Sequence, residues 1–149
     1  MLTKERQNII SLFTLLLVSV PYLFYILGRY QTQLPSGQDE LHFWAAAILL
    51  MIPLRIVAEI IMYILAAIAA AIVTQREDVD AVVDERDRII ELKGTRNSYF
   101  LFAAGFAAAL LAVVAGGGIT TLFLVLLVTG MASELFGIFS QMFFYRRGY

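Results

Sequence analysis

From Ile9 to about Leu27 the chain reads IISLFTLLLVSVPYLFYIL, without a single charge. Three more apolar runs follow, at about 43–73, 98–115 and 119–145. Each is long enough to cross a hydrocarbon core, which takes ~20 helical residues. Hydrocarbon satisfies no backbone polar group, so only helices or closed barrels can span it, and no barrel-like alternation is visible here. The expected fold is therefore all-α, an integral membrane four-helix bundle forming one domain over 1–149. The first run exceeds the ~7–15 apolar residues of a signal peptide core, and no small-residue cleavage pattern follows it. It is expected to be retained as the first span.

Composition narrows the function classes. The chain is 60% hydrophobic, against roughly 45–50% in soluble domains. A formal net charge of −1 gives no basic surface for direct nucleic-acid binding. With no cysteine and one histidine, His42, there is no thiolate or histidine set for a metal. No phosphate loop, H-E-x-x-H or G-x-S-x-G pattern occurs. The expectation is a protein that is not an enzyme and needs no cofactor.

Basic residues set an expected orientation. Lys4 and Arg6 precede the first span, and Arg146 and Arg147 follow the fourth. Arg76, Arg86, Arg88, Lys93 and Arg96 lie between the second and third, whereas the opposite side carries only Arg29. The positive-inside bias then puts both termini and residues 74–97 in the cytoplasm, in a multi-pass protein of the inner membrane.

Three ionisable residues interrupt the spans: Arg55 and Glu59 in the second, Glu134 in the fourth. A charge at the centre of a bilayer costs ~2.5–3.5 kcal/mol on insertion scales, so such residues normally face the bundle interior and pair. Arg55 and Glu59 are four residues apart and share a helix face. Glu134 falls at a similar depth, so a Glu59–Arg55–Glu134 cluster is expected. It either fixes helix register or holds an ion, a proton or a small cationic ligand. Small residues at four-residue spacing, Ala104, Ala108 and Ala112 beside Gly105 and Ala109, mark the third span for close helix packing.

Residues 77–97, EDVDAVVDERDRIIELKGTRN, hold seven acidic and four basic residues. Taken as a helix over 77–93, Glu77, Asp80, Asp84, Asp87 and Glu91 fall within an arc of roughly 80°. Val79, Val82, Val83, Ile89 and Ile90 occupy much of the other side. Gly94 reads as the end of that helix and Asn97 as the N-cap of the next. The expectation is an amphipathic cytoplasmic helix between the second and third spans. It either lies on the membrane surface or docks a partner through Glu77, Asp80, Asp84, Glu85, Arg86, Asp87, Arg88 and Glu91.

The stretch DERDRIIELKGTRNSY resembles the D-E-R-D loop signature of an uncharacterised family of small four-helix prokaryotic membrane proteins. The C-terminal Gln141, Tyr145, Arg146, Arg147 and Gly148 are similar to the end of the same family. Its members are often encoded beside small helix-turn-helix or LytTR-type regulators. That resemblance implies a membrane-bound regulatory module which docks or sequesters a cytoplasmic DNA-binding regulator. The other reading is a small transporter or channel that uses Arg55, Glu59 and Glu134. Four helices are few for a monomeric pore, so that role calls for a homo-oligomer. Membrane lipid is an expected partner in either case.

Overall fold

The computed structural model describes residues 4–73 and 85–147. They form four helices, α1 (Lys4–Gln33), α2 (Gln38–Val73), α3 (Glu85–Val114) and α4 (Ile119–Arg147), and no strand occurs among the described residues. All four are long and apolar enough to cross a membrane. At 1.5 Å per residue even α4 is about 43 Å long, beyond the ~30 Å of a hydrocarbon core. Each helix therefore overruns its apolar run. Once a helix is nucleated, each added residue gains one backbone hydrogen bond, so polar flanks continue it.

The turns are encoded locally. Helix α1 ends on Leu34, whose φ of 42° is left-handed, and whose N–H bonds the Tyr30 carbonyl at 2.9 Å. Pro35 then bars continuation. Helix α3 ends in a Schellman motif. The Gly117 N–H bonds the Ala112 carbonyl at 2.9 Å and the Gly116 N–H bonds that of Val113 at 3.0 Å. Gly116 takes a φ of 97°, which side chains beyond glycine rarely adopt. Pro21 and Pro53 stand inside α1 and α2, so the Leu17 and Leu49 carbonyls lack their usual N–H donors.

Two antiparallel hairpins result. Helix α1 packs on α2, and α3 packs most extensively on α4. Helix α4 also touches α1 and α2, whereas α3 has scarcely any contact with either. The bundle is thus closed along α4 and open between α2 and α3. Its main apolar core lies at the end with the two tight turns, where Ile26, Trp44 and Ala47 are buried among Tyr22, Tyr30, Ile119 and Phe123. Large apolar side chains elsewhere mostly point outward, along α2 above all.

The structure corrects the expectation of a separate amphipathic helix ended by Gly94. Residues 85–97 are the first turns of α3, continuous with the apolar stretch that follows. Gly94 is buried inside that helix, and a Cβ there would run into the Gln141 side chain of α4. It is glycine because two helices meet closely, not because a helix stops. Asn97 is likewise no N-cap: its Nδ2 donates to Ser140 Oγ of α4 at 3.2 Å. Residues 77–84 of the expected helix lie outside the described residues.

The packing stripe is also shifted. Ala104 and Ala108 are exposed, and the contact with α4 runs through Gly94, Gly105, Ala109 and Ala112. A Cβ on Gly105 would collide with the Thr129 side chain, and one on Gly137 would stand 3.0 Å from Ser98 Cβ. The helices interlock where a side chain is missing on one side and small on the other.

Candidate functional site

The gap between α2 and α3 is a groove of about 500 Å³ floored by α4. Ile48, Ile52 and Ile56 of α2, Phe102 and Phe106 of α3, and Leu126 and Met131 of α4 make its walls apolar. Three charged residues face it: Arg55, Glu59 and Glu134. Arg55 lies near the middle of α2 and Glu134 near the middle of α4. Both are far from the helix ends.

Arg55 and Glu134 form an ion pair through Nη1 and Oε2 across the two helices. The expected cluster is therefore brought together, with one distinction. Glu59 lines the same groove, but its Oε1 accepts a hydrogen bond from Ser11 Oγ of α1 at 2.9 Å. The Tyr63 hydroxyl lies 2.9 Å from the same Ser11 Oγ. Ser11 has one proton and spends it on Glu59, so Tyr63 donates to Ser11. A directed chain, Tyr63 to Ser11 to Glu59, runs along the α1–α2 contact. Asn8 stands three residues before Ser11 on α1, with a buried Nδ2 that has no partner among the described residues.

The pair is unevenly covered. The Arg55 side chain is 15% exposed and that of Glu134 is 48% exposed. Arg55 Nε is buried without a partner among the described residues. A guanidinium carries five N–H donors, and the ion pair uses only one face of it. Two carboxylates share one arginine here, so with both ionised the site is one positive charge short.

A second polar cluster was not legible beforehand. At the turn end, the Trp44 Nε1–H donates to Thr120 Oγ1 at 3.0 Å and the Tyr30 hydroxyl donates to Glu40 Oε1 at 3.2 Å. The Thr120 N–H donates to Glu40 at 3.2 Å, and its hydroxyl also donates to Glu40. This clasp ties α1, α2 and the start of α4 together. The only advance signal was aromatic residues near a helix end, which many spans have.

The charged surface candidates separate into two groups. Glu85, Arg86 and Arg88 are exposed on the first turns of α3, and Ile89 and Leu92 point outward beside them. Asp87 is half-buried and faces Tyr145 of α4, near Glu91. Glu77, Asp80 and Asp84 lie outside the described residues. Lys93 stacks over the Phe144 ring and Arg147 over Phe143, with centroid distances of 5.4 and 4.9 Å. No three His, Cys, Asp or Glu side chains converge to hold a metal among the described residues.

Comparison with protein families, with curated proteins and with solved structures returns no match.

Proposed function

We propose that this chain is a multi-pass protein of the inner membrane, with cytoplasmic termini, that binds a hydrophobic cation at Arg55, Glu59 and Glu134. The observation that carries this reading is the Arg55–Glu134 pair on the floor of an apolar groove, with Glu134 half exposed into it. An exposed carboxylate at mid-bilayer is costly unless a cation meets it. Phe102 and Phe106 line the facing wall, and a desolvated cation gains roughly 2 kcal/mol over an aromatic face. The ligand would compete with Arg55 for Glu134. Arg55 has a second carboxylate one turn away in Glu59, so its charge stays compensated when the ligand is bound.

The test is equilibrium binding of radiolabelled tetraphenylphosphonium to the purified protein. Glu134→Gln should weaken binding at least tenfold, since it removes the carboxylate that meets the cation at mid-bilayer depth. Equal affinity in wild type and Glu134→Gln would sink the proposal. A transport role would use the same residues in a homo-oligomer, and would show as cation flux in proteoliposomes.

A second reading is regulatory docking of a cytoplasmic DNA-binding regulator by the 77–97 segment. Its support is the family resemblance and the exposed Glu85, Arg86 and Arg88 flanking outward-facing Ile89 and Leu92. Neutralising Asp80, Asp84 and Asp87 together should release a crosslinked regulator while insertion stays intact. Retention of the same regulator by the triple variant would count against it.

A further inference from the structure

We infer that the α3–α4 hairpin carries a binding site for one anionic phospholipid at the end of the bundle that holds the chain termini. The inference rests on the membrane reading above but not on the cation site. A second groove, of about 700 Å³, runs along this hairpin. Phe136, Phe139 and Phe143 line it at successive turns of α4, and all three are about half exposed. Arg146 closes its terminal end, and Asn97 of α3 lies level with Ser140, partway along it. The groove is therefore graded along the helix axis, with phenylalanine rings toward the helix centre, an amide partway along and a guanidinium at the end.

An acyl chain followed by a phosphate has the same grading. The order of residues fits a lipid lying along α4 with its headgroup outward. Charge selects which lipid. Arg146 is exposed, and no carboxylate pairs with it among the described residues. Arg147 is held over the Phe143 ring, which places a second cation at the same end. Asn97 uses one donor on Ser140 and keeps its other amide hydrogen. Planar guanidinium groups match phosphate oxygens in two-pronged geometry. A zwitterionic headgroup presents a compensating ammonium and gains less here than a singly anionic one.

The experiment is native mass spectrometry of the full chain in mild detergent with equal phosphatidylglycerol and phosphatidylcholine. Wild type should retain phosphatidylglycerol in preference. Arg146→Gln should lower that preference about fivefold, the usual effect of one basic residue at an anionic surface. Arg146→Lys should keep part of it, and Arg29→Gln at the opposite end should change nothing. Equal retention of the two lipids by wild type, or a preference untouched in Arg146→Gln/Arg147→Gln, overturns the site. Alkaline carbonate extraction separates the two failures. Protein that stays in the membrane without lipid preference refutes the groove alone, and protein that is released refutes the membrane reading along with it.

Discussion

Gly105 illustrates how a single atom governs this packing. Any side chain there meets Thr129 of α4. Gly105→Ala should therefore destabilise the protein by about 1–3 kcal/mol through overpacking, and Thr129→Gly should recover much of the loss, since the Thr129 Cβ alone would stand 2.6 Å from the added methyl. Thermal unfolding in detergent reads both variants. The charge cluster behaves differently. Arg55→Met leaves Glu134 and Glu59 without a counter-ion and should cost less than the roughly 3–5 kcal/mol of a fully buried pair, because Glu134 is half exposed, whereas Arg55→Met/Glu134→Met should be markedly milder. A double-mutant cycle on unfolding free energies checks this, and purely additive losses would mean that the pair carries no coupling. The Arg55–Glu134 partnership was legible in the sequence because charges are rare in apolar runs and helical depth can be counted. The Ser11 and Tyr63 partners of Glu59 were not. Hydroxyl residues are scattered through every span, and nothing local says which one faces a carboxylate.

Among the elements, the four helices could be read from four long apolar runs without the alternation of a barrel. The start of α3 could not. Gly94 after Lys93 has the form of a helix stop, and only a neighbouring helix reveals it as a contact point. Amide hydrogen exchange distinguishes the two arrangements: protection should run unbroken from about Ile90 through Leu101, whereas loss of protection centred on Gly94 would restore two separate helices. The turn that ends α3 makes a further prediction. Gly116 is left-handed at φ 97°, so Gly116→Ala should cost roughly 1–2 kcal/mol in unfolding free energy. Gly118, with a φ outside that region and open space around it, should tolerate the same change.

For the whole molecule, the division into two hairpins predicts separable halves. Chains 1–73 and 85–149 expressed together should co-purify, because α4 contacts both α1 and α2. Thr120→Val removes the hydroxyl at the centre of the clasp with Glu40, Tyr30 and Trp44. It should weaken that association while leaving the α3–α4 hairpin helical by circular dichroism. Equal recovery of both halves with Thr120→Val would show that apolar contacts alone join them. The sequence suggested four helices and one charged cluster, but not the open side between α2 and α3. Which of several apolar faces meets a neighbour depends on side-chain shape, not on hydrophobicity.

That open side has a mechanical consequence. Helix α4 is the spine of a book whose covers are the α1–α2 hairpin and α3, and the clasp at Thr120 pins one end of the binding. Glu134 stands fourteen residues further along the spine, roughly 21 Å away at 1.5 Å per residue. A tilt of about 10° pivoting on the clasp would carry Glu134 almost 4 Å, farther than a hydrogen bond can stretch. The Arg55–Glu134 pair is thus a latch at the end of a long lever, where a slight swing of one cover decides whether it is shut.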